Sequence, residues 1–230
     1  MKISLLTPTR KRPENVERFW HSALAFAKNP ENIELSLYID KDDTLTQKKC
    51  KVLKEKNVVV TIGPRIILSK TWNVACKKAS GEIFMLCGDD LIFRSKNWDE
   101  IVVKVFEDFP DKIVYAFGDD GFWKEKLGTH GFLHKNWVKT VGYFVPPYFS
   151  CDYIDTWLND VAGAIERKVY LPQVYIEHMH PLFKKAEWDK THLERIERGK
   201  KDNVAQLYIN TIQERVADAK KLNEFIVKYG

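Results

Sequence analysis

The feature that most constrains this chain is an alternation along its first ninety residues. Short apolar runs at residues 3–6, 33–39, 58–62 and 83–87 are bounded by Pro, Gly, Asp or other polar residues. Runs of this length with such boundaries read as buried strands. The segments between them read as helices. After Pro13, the residues Val16, Phe19, Trp20, Ala23 and Ala27 fall on one helical face, and Glu14 and Glu17 sit in the first turns, where the helix dipole favours acids. A second helix is expected over residues 46–56, and a third from Ser69, as its cap, to Lys78. Strand–helix repetition of this kind argues for a parallel α/β sheet with right-handed crossovers. The carboxyl ends of such strands share one edge of the sheet, where ligands bind. Polar clusters stand at three of these ends: residues 7–12, residues 40–43, and Asp89-Asp90.

The third cluster is the most abrupt. Ile83-Phe84-Met85-Leu86-Cys87 stops at Gly88-Asp89-Asp90. Adjacent carboxylates suit hard divalent cations such as Mg2+ and Mn2+, which bridge to substrate phosphates. A solitary Gly-Asp-Asp also describes a solvated turn; the convergence of three polar strand ends points beyond that. A helix is expected over residues 98–106. A second Gly-Asp-Asp, Gly118-Asp119-Asp120, closes an apolar run at residues 113–117 and is the rival metal motif.

From residue 121 the pattern changes to Gly, aromatic and His residues. Trp123, Trp137 and Tyr148 are candidates for stacking on a sugar or base, and equally for core packing. His130 and His134 flank a Gly-aromatic loop. Helices are expected over residues 135–141 and 153–165, then short strands at 169–171 and 174–176 split by Pro172. His178 and His180 follow, two apart, so in extended chain their rings share one side. In the tail, Ala205, Tyr208, Ile212, Val216, Ala219, Leu222 and Ile226 describe one amphipathic helix. It would pack on the body or serve a partner or a second copy.

Composition narrows the classes. A chain with 44% hydrophobic and 30% charged residues is that of a globular protein. The net charge of +5 suits a phosphorylated ligand or nucleic acid without singling out either, and no DNA-binding motif is recognisable. The four cysteines form no CxxC pair and no metal-ligand spacing, and Cys76 and Cys87 fall in apolar segments as reduced core residues would, which suggests a reducing, cytoplasmic setting. The N-terminal apolar run is too short for a signal peptide, and no segment approaches the roughly 20 apolar residues of a membrane span.

Taken in order, these segments resemble glycosyltransferases of the GT-A fold, close to family 2 and its small bacteriophage members. The opening strand ends in Thr-Pro-Thr-Arg. TWNVACKKASGEIFMLCGDD resembles the family's helix with an Asn, an Ala-x-Gly-Glu approach, a strand and an acidic motif. YFSCDYIDTWLNDVAGAIERKVYLP resembles the acceptor-side segment, and EHMHP the late histidine. The resemblance implies a single GT-A domain over residues 1–183, with a mostly parallel central sheet and helices on both faces. Residues 1–118 would form the nucleotide-sugar half and 119–183 the acceptor half, followed by a helical extension, 184–230. It further implies that Thr7, Pro8, Thr9, Arg10, Asp40, Asn73 and Asp89 contact the donor, and that Asp90 and His178 hold the metal, with His178 preferred to His180. Asp152 or Asp155 would be the general base, Asp155 being favoured because it leads into the following helix. One departure is that Gly88 stands where the family's Asp-x-Asp has its first Asp.

The activity so implied is metal-dependent transfer of a hexose or pentose from a nucleotide-sugar, a uridine diphosphate sugar first, to a hydroxyl with inversion. The acceptor would be a modified phage DNA base, a glycan or a protein. A nucleotidyltransferase is the first alternative, although residues 7–13 lack the Gly-rich loop of that class. A non-catalytic nucleotide- or DNA-binding module is the second.

Overall fold

The computed structural model describes residues 1–50, 53 and 57–230. Its first half builds as the alternation requires. Strands β1 (Ile3–Thr9), β2 (Ile33–Asp40), β3 (Val58–Gly63) and β4 (Ile83–Leu86) alternate with helices α1 (Pro13–Phe26), α2 (Thr44–Cys50) and α3 (Leu68–Lys78). The pairings of β1 with β2, β1 with β4, and β2 with β3 are all parallel. The expected continuation of α2 over residues 51, 52 and 54–56 lies outside the described residues. Ser69 does not cap α3, which starts one residue earlier at Leu68. Its hydroxyl instead accepts from the Phe149 N–H at 3.2 Å.

The second half adds β5 (Leu91–Phe93), α4 (Trp98–Asp108), β6 (Tyr115–Asp119), β7 (Gly131–His134), α5 (Lys135–Val141), α6 (Ile154–Ala164) and β8 (Lys168–His178). The strand order across the sheet is β3-β2-β1-β4-β7-β6-β8-β5. β7 runs antiparallel to β4 and β6, β5 antiparallel to β8, and β6 parallel to β8. The two short strands expected around Pro172 are therefore one long strand. The β6–β8 register slips between Gly118 and Asp119, whose partners are Leu171 and Tyr175. That irregularity takes up Pro172, which has no N–H to give to a ladder. Gly118 is needed there, because a Cβ on it would lie 2.2 Å from the Val174 carbonyl oxygen.

Apolar side chains fill both faces of the sheet with period two. Leu5, Leu35, Met85, Phe93 and Trp98 belong to one core; Leu6, Phe84, Tyr115 and Trp157 belong to the other. The tail is three helices, α7 (Lys190–Lys201), α8 (Val204–Asn210) and α9 (Ile212–Tyr229), not one. Leu222 is fully buried, but Ile212 and Val216 are 53% and 58% exposed. The buried stripe of α9 is Arg215, Asp218 and Leu222. Its polar members are satisfied: Asp218 accepts from the Tyr143 hydroxyl and the Trp157 indole, and Arg215 donates to the Tyr208 carbonyl. A hydrophobic pattern alone cannot reveal a face buried through such partners.

Phe93 anchors β5 between Phe19 and Trp98, with ring centroids 6.0 and 4.4 Å away. Phe93→Ala is expected to cost about 3–5 kcal/mol in urea unfolding. A loss below about 1 kcal/mol would show that β5 is not held by this packing.

Candidate active site

A cleft of about 600 Å³ opens where β1, β2 and β4 end. Pro8, Thr9, Arg10, Arg12, Asp40, Asp89 and Asp90 line it from the first half of the chain, and Trp123, His130, Asp152, Asp155, His178 and His180 from the second. Thr191, His192, Arg195 and Arg198 of α7 complete the wall.

The Gly-Asp-Asp turn sits between β4 and β5, and β5 aligns it. Leu91 pairs with His178 across the β5–β8 ladder, and the Met179 N–H donates to the Asp90 carbonyl at 2.7 Å. This register sets the Asp90 carboxylate 3.4 Å from His178 Nε2. Gly88 makes room, since a Cβ there would lie 2.4 Å from Asp90 Oδ1. Asp89 faces different partners. It accepts from the Thr9 hydroxyl at 2.7 Å and pairs with Arg12 at 3.3 Å. Burial dominates at Asp89 and raises its carboxyl above the usual carboxylate range. Burial also opposes the charge on Asp90, but His178 and Arg12 outweigh it and hold that carboxyl low. Two adjacent carboxylates are thus driven apart by their surroundings.

The cleft histidines are similarly differentiated. His130 Nδ1 lies 3.2 Å from the Leu86 carbonyl, so its proton sits on Nδ1 and Nε2 carries a lone pair. That Nε2 is buried with no hydrogen-bond partner among the described residues, and the ring lies 4.6 Å from that of His178. Burial and the neighbouring His178 keep His130 neutral. His180 Nδ1 accepts from the Leu182 N–H at 3.2 Å, and burial lowers its pKa to about 4.

At the β1 and β2 ends, Arg10 donates to Asp40 at 2.8 Å and grips Asp42 through both terminal nitrogens, at 2.6 and 2.8 Å. Burial raises the Asp40 carboxyl in spite of Arg10. Arg12 forks onto Asp189, at the start of α7, with both bonds at 2.6 Å, and donates to His192 Nδ1 at 2.7 Å. His192 Nδ1 is also 2.8 Å from Asp189 Oδ1. With Arg12 donating to Nδ1 and burial depressing the ring's pKa, His192 is neutral, and the guanidinium holds the two acceptors together.

The two acids at the start of α6 are likewise unequal. Asp152 and Tyr153 both have left-handed backbone, with φ of 36° and 59°, directly before α6. Asp152 pairs with Arg195. Asp155, in the first turn of α6, accepts from its neighbour Thr156, whose N–H is 2.8 Å away. Among the described residues no cation pairs with it, and desolvation pushes its carboxyl up to about 6.

Several other expected residues stand elsewhere. Thr7 is fully buried within β1. The Asn73 amide accepts from the Phe144 and Val145 N–H groups and donates to the Val145 carbonyl, fastening that loop. Asp120 of the second Gly-Asp-Asp accepts from the backbone of Phe122, Trp123 and Lys124 and from the Thr129 hydroxyl, so its own loop consumes it. Asp119 is similarly bound to the Gly121 N–H. Trp137 is buried core, Tyr148 packs on Trp157, and His134 caps α5. The contributions of Arg12 and α7 were not singled out by the sequence; the basic run around residue 10 was the only hint.

The profile described as glycosyl transferase family 2 matches residues 4–169. Among curated proteins no match was found. S. aureus TarS residues 1–349, solved with UDP, is similar with a TM-score of 0.59 and 17% identity, over 76% of this chain and 59% of that one. A longer TarS structure gives 0.60 and 16%, over 86% and 43%. The mannosyltransferase PcManGT from Pyrobaculum calidifontis, solved with GDP-Man and Mn2+, gives 0.61 and 12%, over 97% and 73%. The chain thus spans less than two thirds of the TarS structures. At these identities the likeness is one of fold. With a family profile matching most of its length, the chain belongs to glycosyl transferase family 2, and its fold is GT-A.

Proposed function

We propose that the protein moves a sugar from a nucleoside diphosphate sugar, a uridine diphosphate sugar in the first instance, to an acceptor hydroxyl by a single inverting displacement. The observation that carries this reading is one cleft holding two carboxylates in opposite settings, one beside a histidine and one with no cation beside it among the described residues. Asp90 is held ionised beside His178, and Asp155 is unpaired with its pKa raised to about 6. Family membership favours glycosyl over nucleotidyl transfer, and solved relatives of the same fold carry UDP or GDP-Man with Mn2+.

A divalent ion fits the first pair. Asp90 Oδ2 and His178 Nε2 are an oxygen and a nitrogen donor 3.4 Å apart, facing the same cleft. Among the described residues no third His, Cys, Asp or Glu joins them in a metal-holding group. That suits an ion whose remaining positions go to water and donor phosphate oxygens, as Mg2+ sites often do. When bound, the ion would neutralise charge growing on the departing diphosphate. Pro8, Thr9, Arg10 and Asp40 would cradle the base and ribose.

Asp155 would take the proton of the acceptor hydroxyl. The acceptor oxygen then bonds to the sugar's anomeric carbon as the bond from that carbon to the diphosphate breaks, and the nucleoside diphosphate leaves. A carboxylate with a pKa near 6 is ionised at neutral pH yet a better proton acceptor than an exposed one. Trp123, 41% exposed at the cleft, offers a ring face to a glycan or to a modified phage DNA base. The four cysteines are free and buried, which fits a cytoplasmic setting.

Asp155→Asn should lower kcat for transfer by about 10²–10⁴-fold while donor affinity stays within about twofold. The base works deprotonated, so wild-type activity should be lost as pH falls through about 6. Donor binding without turnover of any nucleotide-sugar by the wild type would support a binding module instead. An Asp155→Asn enzyme of wild-type rate would remove the base.

A further inference from the structure

α7 lies beyond the residues that the family profile matches, yet it forms one wall of the cleft. Its N-cap is Asp189, in the grip of Arg12 beside Asp89. Its other end rests on the loop that leads to Asp155. Cys151 Sγ is 3.6 Å from the Arg195 carbonyl, and Gly199 is packed so closely that a Cβ on it would lie 2.8 Å from that sulfur. At 1.5 Å per residue, Arg198 stands about 13 Å along the helix from Asp189, away from the donor corner.

Arg195 and Arg198, three apart on this helix, share a face and both line the cleft. Their Nε atoms are buried and, among the described residues, have no hydrogen-bond partner. Arg195 has one carboxylate, Asp152; among the described residues no carboxylate pairs with Arg198. A guanidinium is a planar fork of donors matched to phosphate and carboxylate oxygens. Buried donors left unpaired in a cleft wall are a standing penalty that an oxyanion would relieve. Resting on the glycosyltransferase reading above, we propose that Arg198, assisted by Arg195, binds an oxyanion carried by the acceptor, so that the acceptor is a hydroxyl compound bearing a phosphate or carboxylate.

The test is isothermal titration of inorganic phosphate, glucose 6-phosphate and glucose into wild type, Arg198→Gln and Arg198→Lys, each with and without saturating UDP. The wild type should bind phosphate and glucose 6-phosphate, but not glucose, with UDP present or absent. Arg198→Gln should weaken both at least tenfold and Arg198→Lys less, while UDP affinity changes under twofold. Phosphate binding that UDP abolishes, with UDP itself weakened in Arg198→Gln, would assign the pair to the donor diphosphate and overturn the proposal. So would a wild type that binds neither phosphate nor glucuronate, or oxyanion binding that is indifferent to Arg198→Gln. A wild type that ignores UDP would defeat the donor-site reading alone, because the UDP-free titrations still report on Arg198. Pairing glucuronate with glucose in the same format separates a carboxylate-bearing acceptor from a phosphate-bearing one.

Discussion

The site depends on a short piece of antiparallel ladder. β5 contains three residues, but through them Leu91 is fixed opposite His178 and the Asp90 carbonyl receives the Met179 N–H. Residues far apart in sequence thereby become neighbours with a set spacing. Side chains alternate along a strand, so a slip of one residue would turn His178 away from Asp90. Phe93, wedged against Phe19 and Trp98, ties that register to the larger core. Glycine at position 88 then lets the carboxylate fold back over the strand end. The chemistry of Asp90 therefore follows from sheet packing rather than from loop conformation.

Arg12 is the second organising contact. Its guanidinium joins Asp89 of the first half to Asp189 and His192 of α7, closing the tail onto the cleft. A largely buried carboxylate such as Asp89 is tolerated only with partners of this kind, and removing one partner of a buried pair is usually far more costly than a surface ion pair is worth. Arg12 thus couples the stability of the turn to the docking of α7. The opposed displacements of Asp89 and Asp90 follow from this division: one carboxylate faces a structural guanidinium and a hydroxyl, the other faces the cleft histidines.

The sequence was legible where burial was continuous. β4 is an uninterrupted apolar run, and β1 and β2 are buried along nearly their whole length; their alternation with helices led directly to a sheet whose polar strand ends converge. β5 escaped because three apolar residues carry no period. β8 was divided because Pro172 ordinarily ends a strand, and only the slip against Gly118 lets it continue. The apolar stripe read along the tail missed the buried face of α9, because that face contains Arg215 and Asp218, whose burial rests on partners distant in sequence. The two Gly-Asp-Asp motifs are identical as strings. They differ in their partners: the loop after Asp120 supplies N–H groups to its carboxylate, whereas Asp90 faces His178. Asp40, Asp89, Asp90, Asp155 and His178 do meet in one cleft, whereas Thr7 and Asn73 are spent within the framework.

The central claim is that the β5–β8 ladder builds a metal-dependent diphosphate site from Asp90 and His178. Calorimetric titration of UDP with and without Mn2+ into wild type, Asp90→Ala and His178→Ala tests it most directly. The account predicts that Mn2+ strengthens UDP binding to the wild type at least tenfold and that either substitution removes the enhancement while the protein stays folded. Equal UDP affinity with and without Mn2+ in the wild type, or an enhancement that survives both substitutions, would contradict it.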